Sequence, residues 1–244
     1  MGHHCNQRHD RTFRDIESAM ATELTGPRLT PRSRGPARAL VIFLHGYGAD
    51  GNDLIELGRA WQPLLPDTAF VAPHAPERCA QAATGRQWFS LTFRDPNERW
   101  SGVNKAAPVL NRFIEEELKR HNLPESALAL VGFSQGTMMA LHVGLRRPVP
   151  AAAIVGYSGL LVLPNGAGPE AVKGEIKARP PILLVHGDRD DLIPAEALAL
   201  SVSCLASLEI PVEWHMSAGV GHGIDEEGLR HGGAFLASRF RSRR

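Results

Sequence analysis

The chain has 244 residues and a formal net charge of +1, from 27 Lys and Arg against 26 Asp and Glu. That balance argues against nucleic-acid or membrane-surface binding as the default reading. With 43% hydrophobic and 22% charged residues, the composition suits one α/β domain better than two small ones.

Residues 1–22 are expected to form a mobile N-terminal extension, and 23–244 a single domain. The segment to about residue 36 is rich in Arg, Thr, Pro and Gly and leaves room for one or two edge strands. From Ala39 onward, short apolar runs alternate with helical patterns, the rhythm of βαβ units and a mostly parallel sheet covered on both faces. The runs are ALVIFL (39–44), TAFVAP (68–73), ALALVG (127–132), AAAIVG (151–156), PILLVHG (181–187) and PVEWHM (211–216). Helices are expected over 51–62, 106–121, 135–147, 195–208 and 227–240. The second is the clearest, with Leu110, Phe113, Ile114 and Leu118 on one face. The basic end RFRSRR reads as a solvated tail.

No stretch reaches the roughly eighteen consecutive apolar residues of a membrane span. The N-terminus, MGHHCNQRHDRTFRD, lacks the apolar run of a secretory signal. A cytoplasmic protein without stable membrane insertion is expected. Cys5, Cys79 and Cys204 have no C-x-x-C spacing and read as free thiols. The histidines show neither H-E-x-x-H nor a pair at i, i+4, so no metal site is expected.

The chemistry concentrates where ALALVG runs into Gly132-Phe133-Ser134-Gln135-Gly136, a G-x-S-x-G sequence followed at once by a helical pattern. A serine at such a strand-to-helix turn is held in a strained conformation, and its neighbours two residues away must be small. Gly136, Ala140 and Gly144 extend the small-residue stripe along the helix. A serine hydroxyl needs a base and an orienting carboxylate to become a nucleophile. Both follow in the chain order of α/β-hydrolases. Asp188, Asp190 and Asp191 lie in a loop after PILLVHG, with Asp191 the rival of Asp190 and Asp188 a loop brace. His222 sits in the glycine-rich Gly219-Val220-Gly221-His222-Gly223. His142, His186 and His215, on predicted helix and strands, read as structural.

Donors for a developing oxyanion are expected from the backbone N–H of Gln135 and of Tyr47, the latter in Leu44-His45-Gly46-Tyr47-Gly48. His45 reads as a brace in that loop.

With these four motifs in order, the chain resembles the phospholipase/carboxylesterase family of α/β-hydrolases, over roughly Glu23 to Phe240. The resemblance implies the α/β-hydrolase fold with a minimal lid, and it selects Asp190, the second Asp of His186-Gly187-Asp188-Arg189-Asp190, as the acid. It also implies that Trp88 and Phe89, in Gln87-Trp88-Phe89, and Leu160, in Ser158-Gly159-Leu160-Leu161, line an apolar slot. The activity implied is that of a serine carboxylesterase using Ser134, His222 and Asp190 with no cofactor. It would act on small-molecule esters with short or medium acyl chains, lysophospholipids or acyl thioesters. A homodimer is compatible with such a hydrolase. The alternatives are an α/β-hydrolase-fold protein that binds a ligand without cleaving it, and a dienelactone-hydrolase-like enzyme, for which Cys would be favoured at position 134.

Overall fold

The computed structural model describes residues 23–79, 81–92 and 94–241. The expected mobile extension, with Cys5, and the last residues of the basic tail lie outside the described residues. The strands are β1 (Arg28–Leu29), β2 (Ala39–Leu44), β3 (Thr68–Val71), β4 (Glu77–Arg78), β5 (Arg86–Gln87), β6 (Leu128–Phe133), β7 (Ala153–Tyr157), β8 (Ile182–Gly187) and β9 (Val212–Ser217). The α-helices are α1 (Gly51–Trp61), α2 (Glu98–His121), α3 (Gln135–Gly144), α4 (Glu196–Ser207) and α5 (Glu226–Arg241).

Seven strands form one sheet in the order β1-β3-β2-β6-β7-β8-β9. Only β1 is antiparallel to its neighbour. The edge strand is tied down by Arg28, whose guanidinium donates to the buried carboxylate of Glu117 on α2 at 2.7 Å. The all-apolar runs of β2 and β6 follow from burial on both faces. Leu40, Ile42 and Leu44 enter the core cluster on one face, where α2, α3 and α4 pack, while Val41 and Phe43 enter the cluster beneath α1 and α5.

From β2 the chain turns outward to β3, whereas from β6 it proceeds the other way to β9. The sheet order therefore reverses between β2 and β6. At such a switch point the loops leaving adjacent strands diverge and open a crevice at the carboxyl ends. The loop after β2 starts at His45, and the turn after β6 is Ser134.

Helix α2 begins at Glu98 rather than near residue 106. Gly102 and Pro108 weaken its helical reading, yet tertiary packing decides. A Cβ on Gly102 would stand 2.3 Å from the Phe89 ring, so this turn needs a glycine to lie against that side chain. The short β4–β5 hairpin was not anticipated, because two-residue strands carry no detectable alternation.

The tightest packing occurs where α3 crosses β2. A Cβ on Gly136 would lie 1.7 Å from the carbonyl oxygen of Leu44, a backbone atom that cannot rotate away. Gly136→Ala is expected to lower unfolding free energy by about 3 kcal/mol or more, the upper end of overpacking costs, read as a fall in the urea midpoint. An unchanged midpoint would show that α3 has freedom to move off the sheet.

Candidate active site

Ser134 occupies the turn between β6 and α3 with φ 53° and ψ −115°, a left-handed conformation that a non-glycine residue adopts only under constraint. Its N–H donates to the Tyr157 carbonyl of β7 at 2.8 Å. Its own carbonyl accepts from the N–H groups of Thr137 and Met138. Thr137 Oγ1 donates to the same Tyr157 carbonyl at 2.9 Å, so the first turn of α3 is tied to β7 as well. Gly132 fits because a Cβ there would stand 2.4 Å from the backbone of Gly136 and Thr137.

Gly46 passes directly beside the serine. A Cβ there would be 3.3 Å from Ser134 Cβ and 3.0 Å from the Phe133 ring. The peptide leading to Tyr47 therefore runs close to the nucleophile candidate. Among the described residues, no backbone carbonyl accepts from the N–H of Tyr47 or of Gln135. The latter is the first N–H of a helix, one of those the helix itself leaves without a partner.

Two features hold the 45–49 loop. His45 is buried, with its Nδ1 2.8 Å from the Gly46 carbonyl and its Nε2 accepting from the Ala75 N–H at 2.9 Å. Burial keeps the ring's pKa below its ordinary value despite the Gly46 bond, so His45 is a neutral brace. The β5 strand supplies the second hold: Gly48 N–H donates to Arg86 O, and Arg86 N–H donates to Ala49 O. The Arg86 guanidinium in turn donates to the carbonyls of Ala75 and Pro76.

The acid and the imidazole lie on loops zipped together beyond β8 and β9. Arg189 N–H donates to Val220 O, Asp188 N–H to Ser217 O, and Gly219 N–H to the Asp188 carboxylate at 2.6 Å. Asp188 is thus the loop brace. Asp190 Oδ2 lies 2.8 Å from His222 Nδ1, while Oδ1 accepts from the N–H groups of Leu192 and Ile193. Burial alone would raise the Asp190 pKa, but the bonds from Ile193, His222 and Leu192 outweigh it and hold the carboxyl below its ordinary range. The rival Asp191 is exposed. The His222 ring lies 5.0 Å, centroid to centroid, from that of Phe133. Ser158 Oγ donates to the carbonyl of Gly223 and fixes the loop just past the imidazole.

The remaining expected site residues fall differently. Trp88 and Phe89 are each only 1% exposed, so in this structure they form the floor beneath the serine turn and not an open wall. Leu160 is half-buried at the edge of the same core cluster. What sequence reading missed is the Gln135 side chain, which accepts from Trp88 N–H and donates to Phe89 O, both at 2.8 Å. The Trp88 indole also donates to His45 O at 3.0 Å. This network joins the serine turn, the 88–89 segment and the 45–49 loop. A small cavity of about 210 Å³, lined by His45, Gly46, Leu54, Phe133 and Ile224 among others, opens next to it.

Residues 29–239 match the model of a family described as phospholipase/carboxylesterase. The chain is 28% identical over 210 residues to acyl-protein thioesterase 1 of Gibberella zeae, covering 81% of this chain and 89% of that protein. It is 28% identical over 196 residues to esterase YpfH of Escherichia coli, covering 80% of each. The crystal structure of esterase PE8 superimposes with a TM-score of 0.84 at 43% identity, covering 89% of this chain and 99% of that one.

Replacing Gln135 by Ala leaves the Trp88 N–H and Phe89 carbonyl buried without partners. Stability is expected to fall by roughly 2 kcal/mol or more, measured by urea unfolding, and Gln135→Glu should not restore it, because a carboxylate cannot donate to Phe89 O. Asp190 carries a pH signature. Since its pKa is depressed on folding, its stabilisation is present above the unfolded carboxylate value of about 4 and is lost as pH falls through the folded value. The stability gap between the wild type and Asp190→Asn should therefore narrow on acidification below about pH 4, and a gap independent of pH would contradict the charge-based account.

Proposed function

The chain belongs to the phospholipase/carboxylesterase family and is a serine hydrolase with the α/β-hydrolase fold and esterase or thioesterase activity; from this premise we propose that it hydrolyses carboxylic esters through Ser134, His222 and Asp190. The observation that carries the reading is the 2.8 Å bond between Asp190 and His222, whose imidazole lies 5.0 Å, centroid to centroid, from the ring of Phe133, the residue preceding the serine. The family's esterase chemistry counts against a ligand-binding protein without turnover. Ser at position 134, where the dienelactone-hydrolase-like alternative favours Cys, counts against that second alternative.

In this mechanism Ser134 Oγ attacks the acyl carbonyl carbon while His222 Nε2 takes its proton. Asp190 accepts from Nδ1, which fixes the tautomer and stabilises the imidazolium. The carbonyl oxygen becomes an oxyanion and accepts from the N–H groups of Tyr47 and Gln135, a pair of fixed dipoles that need not reorganise as charge develops. The imidazolium protonates the departing alcohol or thiol, and the carbonyl re-forms as the acyl-enzyme. Water then enters, gives its proton to His222 and releases the acid by the reverse sequence.

The apolar cavity beside Gly46 and Phe133 is small, which supports a short or medium acyl or alcohol group there. The half-buried Leu160 packs against the core cluster on the face of α2, α3 and α4 and is proposed to meet the chain where it leaves the site. Esters, lysophospholipids and acyl thioesters remain within the proposal, because the fold offers few walls against different leaving groups. Among the described residues no helix is long and apolar enough to cross a membrane. Cys79 and Cys204 are free, which supports the cytoplasm, a reducing compartment, as the place of action.

A fluorophosphonate probe is expected to label Ser134 stoichiometrically. Ser134→Ala should lose labelling and lower kcat/KM for p-nitrophenyl esters by about 10⁴-fold or more while keeping its far-ultraviolet circular dichroism. Turnover retained by the variant would remove Ser134 from the mechanism. Comparing p-nitrophenyl acetate, butyrate and octanoate with a lysophospholipid and an acyl thioester ranks the leaving groups.

A further inference from the structure

At the β9 edge of the sheet, His215 of β9 lies beside Glu227 and His231 of α5. Glu227 and His231 stand at i, i+4 and share one helix face. Ligating atoms of all three lie within 4.8 Å of one another. His215 Nε2 is 4.0 Å from Glu227 Oε2, and His231 Nε2 is 3.6 Å from Glu227 Oε1. The two imidazoles are 4.3 Å apart, centroid to centroid, and inclined by 34°.

His215 Nε2 is shielded from solvent and has no hydrogen-bond partner among the described residues. A ring nitrogen buried in that state is costly unless something engages it. A buried ring nitrogen that sits near a carboxylate and a second imidazole without bonding to either is one that a Lewis-acidic cation would engage. Two imidazoles and a carboxylate form a donor set suited to zinc, with a fourth position left for water. Zinc bonds of about 2.0–2.2 Å in a tetrahedron place ligand atoms roughly 3.3–3.6 Å apart. The His231–Glu227 separation already meets that distance, the His215–Glu227 separation needs a contraction that the half-exposed Glu227 side chain can supply, and the two histidine nitrogens, within 4.8 Å of each other, would close by rotation of the partly exposed His231. Arg230 pairs with Glu227 at 3.4 Å on the solvent side, through side chains that are both more than half exposed, and would yield to a divalent ion.

We propose that His215, Glu227 and His231 bind a zinc-class divalent cation. The site joins the strand that ends at Ser217 to the helix that begins at Glu226, and the intervening loop carries His222. A bound ion would staple the two ends of that loop. Sequence spacing carries no sign of it, since one ligand comes from a strand and only a Glu and a His share the helix.

The test titrates the full chain, after chelator treatment, with Co²⁺ and then Zn²⁺ at neutral pH. One equivalent of Co²⁺ should give the visible bands of a four-coordinate ion, Zn²⁺ should displace it, and Zn²⁺ should raise Tm. His231→Ala, an exposed helix position, and His215→Gln should each weaken binding more than about tenfold and remove the rise in Tm. Ester turnover in chelator should be unchanged in both, which reports that they are folded. Absence of saturable binding would overturn the proposal. So would binding as tight after either substitution, because the ion would then be held by ligands outside this cluster, such as the histidines His3, His4 and His9.

Discussion

The site depends on the absence of side chains around one serine. Gly132, Gly136, Gly46 and Gly159 surround Ser134, and a Cβ at any of them would press on its neighbours: 2.4 Å from the backbone at 132, 1.7 Å at 136, 3.0 Å from the Phe133 ring at 46 and 2.4 Å from Thr137 Cβ at 159. Backbones from β2, β6, α3 and the loop after β7 therefore come within contact distance of one another. That proximity fixes the backbone of the Ser134 turn and brings the peptide after Gly46 alongside it. A protein interior packs at the density of an organic crystal, so these positions have no slack in which a larger residue could be absorbed.

The acid and the imidazole are placed by a different device. They sit on loops, which are usually the mobile part of a domain, yet here the parallel ladder of β8 and β9 continues past the strand ends. Val220 and Ser217 supply carbonyls to Arg189 and Asp188, and Asp188 returns a bond to Gly219. Gly187 permits this because its missing side chain leaves room for the Val220 carbonyl, which a Cβ would approach to 2.2 Å. The Asp190 carboxylate then has little choice of orientation. Two backbone N–H groups hold one oxygen and leave the other directed at His222.

Much of this was legible in the letters. Two-sided burial turns β2, β6, β7 and β8 into continuous apolar runs, which stand out without any alignment. The G-x-S-x-G turn is equally visible because its glycines are demanded by close approach. The illegible parts are those whose signal is a long-range pairing of ordinary residue types. Gln135 looks like any polar residue until the Trp88 and Phe89 backbone is brought against it. Trp88 and Phe89 read as slot-lining aromatics, but burial sets them underneath the turn. Arg86 holds the 46–49 loop through its own backbone N–H and carbonyl while its guanidinium binds the Ala75 and Pro76 carbonyls, pairings that no spacing rule could have found. The start of α2 was hidden for a related reason, since Gly102 is poor for a helix and good for lying on Phe89.

Strain connects these levels. Ser134 and Ser158 both have positive φ, 53° and 45°, though neither is glycine. Such a conformation costs of order 1–3 kcal/mol and survives only where its surroundings over-determine it. The surroundings here are successive strands: Ser134 N–H bonds to the last residue of β7, and Ser158 N–H bonds to Val185 within β8. Each strained residue thus borrows the rigidity of the next strand along the sheet. Ser158 passes it on through its hydroxyl to the Gly223 carbonyl, one residue beyond His222. The chain of bonds runs from the serine turn across β7 and β8 to the histidine loop, so distortion at one end is resisted by the sheet as a whole. The serine turn and the histidine loop, nearly ninety residues apart in sequence, are thus tied to each other through the end of β7 and the residue that follows it.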